Sequence, residues 1–166
     1  QAYAAGRDVL NCFCYTGGFS LAALKGGAQR VVSIDSSGEA LALARENVTA
    51  NGFDAARAEW LDADAFKTLR RLADDGERFD LVVLDPPKFA PSREHVDRAA
   101  RAYKDINLSG FKLLRPGGFL FIGAPDELPQ CWRTLGLREW RGHRGFFRLG
   151  DDPPPCRNFV SAYPQF

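Results

Sequence analysis

Val9-Leu10-Asn11-Cys12-Phe13-Cys14-Tyr15-Thr16-Gly17-Gly18-Phe19 begins apolar, breaks on paired glycines and runs into a segment with helical character. Val9–Phe13 reads as a buried strand and Phe19–Lys25 as a helix that stops at Gly26-Gly27. The same rhythm then repeats. Val31–Ile34 is a short apolar strand closed by Asp35, and Ser36 and Glu39 have the spacing of a capping box. Behind them Ala40, Ala44 and Val48 make one apolar helical face, which Gly52 ends. Ala56–Leu61 is a weaker strand before a helix from about residue 65 to 73. Phe79–Leu84 has the nearly unbroken apolar character of a parallel strand covered on both faces. A long helix over 93–114 follows, and Pro116-Gly117-Gly118 turns the chain into strand Phe119–Ile122. Strands alternating with helices predict right-handed βαβ units and a parallel α/β sheet with helices on both faces.

In such sheets ligands bind beyond the carboxyl ends of the strands. Phe13, Tyr15, Thr16, Gly17 and Gly18 lie past the first strand, and Asp35 with Ser36 past the second. Glycine lets a backbone approach a ligand, and an acid 17 residues after Gly18 suits the hydroxyls of a ribose. A tight strand-to-helix turn followed by a capping acid would look the same. Thr16-Gly17-Gly18-Phe19 does not fit G-x-G-x-x-G, so the dinucleotide fingerprint fails. That favours a sulfonium nucleoside, S-adenosyl-L-methionine, over a nicotinamide dinucleotide. Asp64, Ala65 and Phe66 suit adenine, with a carboxylate for its amine and a ring for its face, or an ordinary helix start. Asp62 reads as a solvated loop acid.

Asp85-Pro86-Pro87-Lys88-Phe89 is the second informative stretch. Two prolines fix the backbone and remove amide donors, leaving carbonyl oxygens and the Asp85 carboxylate for a substrate or for S-adenosyl-L-methionine itself. Phe89 offers a face for stacking a base and Lys88 a charge for a phosphate. A rigid loop without chemistry is the plain alternative.

The 166 residues suit one domain, and a net charge of +1 provides no global footprint for nucleic acid. No apolar run approaches the roughly 20 residues that span a bilayer, and no metal-ligand spacing is visible. Cys12, Cys14, Cys131 and Cys156 contain no C-x-x-C pair, which suggests a reduced, cytoplasmic protein. Methionine is absent even at position 1, so the expectation is a domain cut from a longer polypeptide.

With Tyr103-Lys104-Asp105-Ile106-Asn107, these motifs resemble, in order over residues 7–122, the methyltransferase domain of the RlmI-like 23S rRNA (cytosine-5) methyltransferases. The resemblance implies a class I methyltransferase (Rossmann-like) fold. It implies S-adenosyl-L-methionine at Tyr15–Gly18, Asp35 and Asp64–Phe66, and cytosine of 23S rRNA near Asp85–Phe89. In that family a cysteine thiolate adds to C6 of the ring so that C5 becomes nucleophilic. Two family parts are missing: an RNA-binding PUA domain before this segment, and a Ser-Cys-Ser directly after the fifth strand, where this chain has Gly123-Ala124-Pro125. No catalytic cysteine is assigned.

From Gly123 the rhythm dissolves. Six of the ten prolines fall there, Pro153-Pro154-Pro155 among them, with two of the three tryptophans and no lysine. The expectation is therefore an S-adenosylmethionine-binding methyltransferase domain over 1–122 and a non-matching tail over 123–166, a frameshift product or a sequencing artefact in a truncated gene. If the tail is native, the sheet should lack its usual sixth and seventh strands and expose an apolar edge. Two other readings stand beside RNA methylation: a cofactor-binding module without catalysis, and a methyltransferase acting on a small molecule or protein.

Overall fold

The computed structural model describes residues 2–87, 96–123, 137–139 and 146–151. Five parallel strands carry the fold: β1 (Asp8–Cys12), β2 (Arg30–Asp35), β3 (Ala58–Asp62), β4 (Phe79–Leu84) and β5 (Leu114–Ile122). Between them run α1 (Gly18–Lys25), α2 (Gly38–Ala50), α3 (Ala65–Asp74) and α4 (Val96–Lys112). Two further strands, β6 (Leu137–Glu139) and β7 (Phe146–Leu149), complete a seven-stranded sheet in the order β3-β2-β1-β4-β5-β7-β6. β7 is antiparallel to both β5 and β6.

Alternation along the strands divides the core between the two faces. Leu10, Cys12, Val32, Ile34, Val82, Leu84, Leu120 and Ile122 pack with Leu69 and Leu72 of α3 and Ile106 and Phe111 of α4. Val9, Val31, Leu81, Val83 and Phe119 point the other way, onto Ala23 and Leu24 of α1 and Val48 of α2. At the amino-terminal end of the strands Arg115 bridges Asp8 (2.8 Å) and Asp80 (2.7 Å), while Asp80 accepts the Asp8 amide at 2.9 Å. That clasp is partly exposed and contributes about 1 kcal/mol at most. It ties β1, β4 and β5 together at the edge away from the loops discussed below.

Two expectations need correction. The sheet does not lack its sixth and seventh strands. Phe146–Leu149 pairs with Phe119–Phe121, and Leu137, Phe147 and Leu149 are buried in the same cluster as Leu120 and Ile122. Strands of three and four residues carry too little alternation to be read beside prolines and tryptophans, but β5 would otherwise present an unpaired apolar edge. The cap of α2 is Ser37, not Ser36: its side chain accepts the Ala40 amide at 3.2 Å. Ser36 is left exposed as a bend between β2 and the helix.

Candidate functional site

The parallel register brings the carboxyl ends of the strands to one edge. Cys12 lies beside both Ile34 and Leu84, and Asp35 beside Asp62. The residues that leave those strands therefore form a row: Asp62, Asp35, the loop from Phe13 to Gly17, then Asp85. Gly123, leaving β5, donates its amide to the Leu84 carbonyl at 2.8 Å and closes the row beside Asp85.

The loop between β1 and α1 is held from three sides. The Cys14 amide donates to the Ile34 carbonyl (3.1 Å), and the Gly17 amide donates to the Cys14 carbonyl (2.8 Å). Asn47 of α2 donates to the Thr16 carbonyl at 3.1 Å. Phe13 and Tyr15 both take positive φ, 59° and 48°, conformations that non-glycine residues occupy at a cost of order 1–3 kcal/mol each. Gly17, at φ 84°, strains any side chain, and a Cβ there would press tightly on both Ala44 and Trp60, at 3.1 Å. Gly18 is the opposite case: a Cβ there would meet nothing within 4 Å. Tyr15 is 69% exposed at the rim, whereas Phe13 is half-buried against the core.

Asp35 joins this loop to the next. Its Oδ2 accepts the Tyr15 amide at 2.8 Å and its Oδ1 the Ser37 amide at 3.0 Å. Beneath, a buried chain of polar groups links Asn11 to Ser20 (2.9 Å) and Ser20 to Ser33 (2.8 Å), fixing α1 against β1 and β2. Asp64 caps α3, its Oδ1 accepting the Lys67 amide at 2.9 Å. This is the helix-start geometry, and it leaves the second oxygen without a partner among the described residues. Ala65 is buried, and Phe66 is half-buried against the core.

Asp85 is exposed, and its carboxylate occupies the space over Gly123: a Cβ on that glycine would fall 1.9 Å from Oδ1. The Pro87 carbonyl accepts a hydrogen bond from Tyr103 of α4 at 3.4 Å, and Pro86 is half-buried. Lys88 and Phe89 lie outside the described residues, as do Cys131 and Cys156. The site also holds a residue that sequence reasoning set aside. Asp62 is the last residue of β3, not a loop acid, and its Oδ2 lies 2.9 Å from the place of a Cβ on Gly38, at the amino end of α2. Only the strand register could have revealed this.

The donor set distinguishes between ligands. A phosphate needs free backbone amides at a helix start. Here Asp35 takes the amides of Tyr15 and Ser37, and although the first amides of α1 have no side-chain cap, Asp62, Asp64 and Asp85 add negative charge along the same edge. That edge repels a pyrophosphate and favours a cation carrying hydroxyls and an amine. S-adenosylmethionine has that chemistry, and the residues fit it.

Neither described thiol is poised for attack. Burial, then the charge of Asp35, pushes the Cys14 thiol up to about 12, and burial, with Cys14 adding, pushes Cys12 higher still. Both stay protonated in the folded chain at neutral pH. Alkylation by iodoacetamide at pH 8 is expected to leave Cys12 and Cys14 unmodified until the chain unfolds, as peptide mapping would show. The sign of the linkage follows. Above the ordinary thiol value of 9.0 the unfolded chain loses protons that the folded chain keeps, so these thiols make stability fall as pH rises past 9.0.

Comparison with known proteins identifies the family of the chain. A family model described as S-adenosylmethionine-dependent methyltransferase matches residues 1–132. Ribosomal RNA large subunit methyltransferase I of Erwinia tasmaniensis is 52% identical over 174 residues, covering 99% of this chain and 43% of that protein. Its namesake from Vibrio cholerae serotype O1 is 55% identical over 120 residues, 71% of this chain and 30% of the relative. Among solved structures, SMU.776, described as a methyltransferase and complexed with SAH, is 31% identical. It superposes with a TM-score of 0.62 over 70% of this chain and 30% of that one. The chain thus spans less than half the length of these relatives.

Proposed function

Because the chain belongs to the S-adenosylmethionine-dependent methyltransferase family, we propose that it is the methyl-transferring part of a longer ribosomal RNA methyltransferase, with C5 of a 23S rRNA cytosine as its target. The observation that carries the reading is the acidic strand-end edge built around Asp35, whose carboxylate is fixed by the Tyr15 and Ser37 amides. The names of the relatives support ribosomal RNA as the substrate class. The choice of C5 rests on the resemblance of the motifs.

Roles follow from the chemistry of each side chain. Asp35 offers its remaining lone pairs to ribose hydroxyls, with Ser36 at the rim of the same loop. Asp64 offers its second oxygen to the adenine amine, and Phe66 with Ala65 forms an apolar wall. Phe13 and the Thr16–Gly18 backbone floor the site. The bound cofactor supplies a methyl group on a sulfonium, and the surrounding carboxylates stabilise that positive charge. Asp85 and the Pro86 carbonyl are acceptors only, so they recognise an N–H donor such as the amino edge of a base. Lys88 and Phe89 follow in the sequence, with a charge suited to a phosphate and a ring suited to the face of a base.

A second reading, a cofactor-binding module without transfer, is favoured by the two buried, neutral thiols and by Gly123 where the family pattern has serine. Calorimetric titration with S-adenosylhomocysteine tests the shared premise: micromolar binding is expected, and no binding by a folded chain overturns it. Incubation with tritiated S-adenosylmethionine and 23S rRNA fragments separates the two readings. Label at cytosine C5 supports the first. Normal cofactor affinity without any transfer, even after an RNA-binding domain is joined to the chain, supports the second.

A further inference from the structure

Asn107 lies within α4 with its side chain buried, and among the described residues neither its Nδ2 nor its Oδ1 has a hydrogen-bond partner. Asparagine is a poor helix former, and leaving both ends of a buried amide unpaired is costly. Native interiors rarely keep such a group without a use. Asn11, also buried, leaves its Oδ1 without a partner among the described residues but donates from its Nδ2 to Ser20.

The neighbours along the helix fix its position. One turn earlier, Tyr103 donates to the Pro87 carbonyl. Three residues later, Gly110 packs so closely on β4 that a Cβ would meet Leu84 Cδ1 at 2.8 Å. Residues three and four apart share a helix face. Asn107 therefore lies beneath the stretch from Leu84 to Pro87, which holds Asp85 and Pro86.

We propose that Asn107 is a substrate-binding residue whose amide is satisfied only when a target base docks against the Asp85–Pro87 turn. The inference rests on the RNA reading above and deepens it. The turn is rich in carbonyl acceptors and, with two prolines, poor in N–H donors. On docking, Nδ2 takes an acceptor from the turn, whereas Oδ1 needs a donor from outside it. A nucleobase N–H supplies one. The free protein bears the cost of the unpaired amide, and base docking relieves it.

The test uses wild type, Asn107→Leu and Asn107→Ala, the last as a smaller variant that cannot overpack. Melting is followed for each, with affinities for S-adenosylhomocysteine and, in its presence, for a short unstructured RNA of mixed sequence. Asn107→Leu is expected to melt about 2–4 °C higher than wild type, because an apolar side chain suits that position better. Both variants should bind S-adenosylhomocysteine as wild type does and RNA roughly fivefold to tenfold more weakly. Unchanged RNA affinity in both variants overturns the proposal, and so does a parallel loss of affinity for both ligands, which would mark a general distortion. A wild-type chain that binds S-adenosylhomocysteine but no RNA, even with an RNA-binding domain joined to it, sinks the RNA reading, and this inference with it.

Discussion

An Asp35→Ala variant is expected to bind S-adenosylhomocysteine roughly 5- to 150-fold more weakly than wild type, about 1–3 kcal/mol, by calorimetric titration. The carboxylate has two tasks that alanine cannot share. It draws the Tyr15 and Ser37 amides together at 2.8 and 3.0 Å, so that two loops from different strands are fixed relative to each other. Each oxygen keeps a further lone pair, and a ribose diol needs two acceptors side by side. Asp35→Asn discriminates further. An amide presents one acceptor and one NH2, and either orientation sets that NH2 against a backbone N–H. Asparagine should therefore be nearly as harmful as alanine, although its shape is conserved. An Asp35→Asn chain with wild-type affinity would show that a single acceptor suffices and would remove the paired-amide argument.

How much of this was legible in the sequence depended on the length and separation of each signal. Phe79–Leu84 was read with the bounds the structure gives it, because a central strand covered on both faces leaves a continuous apolar run. The face formed by Ala40, Ala44 and Val48 was legible from its helical period. The cap was misread by one residue, since Ser36 and Ser37 are adjacent and only backbone geometry selects between them. β6 and β7 were missed because three or four residues are too short for a pattern, and their stability comes from partners far away in the chain, Phe119 to Phe121. The same holds for the site. Asp35 was visible as an acid closing a strand, whereas Asp62 became significant only through its register with Asp35. Asn107 stood in a recognisable motif, but its burial and lack of partners are properties of packing. Local signals report elements, and long-range pairing decides which polar groups are brought together.

The adjacent glycines of the first loop supply the second large effect, because the structure assigns them opposite reasons for being glycine. Gly17→Val is expected to destabilise the chain by roughly 3 kcal/mol or more, seen as a large fall in melting temperature. A β-branched residue is strained at φ 84°, and its Cβ would press on Ala44 and on the indole of Trp60 at 3.1 Å, neither of which is a flexible side-chain end. Gly18→Val should melt within about 0.5 kcal/mol of wild type, because Gly18 opens α1 without positive φ and a Cβ there meets only open space. That open space is where the cofactor reading puts its ligand, so the Gly18 variant should lose S-adenosylhomocysteine affinity by roughly tenfold or more, the usual scale for displacing a well-fitted contact. The pair thus separates folding from binding at neighbouring positions. If Gly18→Val binds as tightly as wild type, the cofactor does not pass over the start of α1. If Gly17→Val melts normally, the close approach of the loop to Trp60 is not a constraint on the fold.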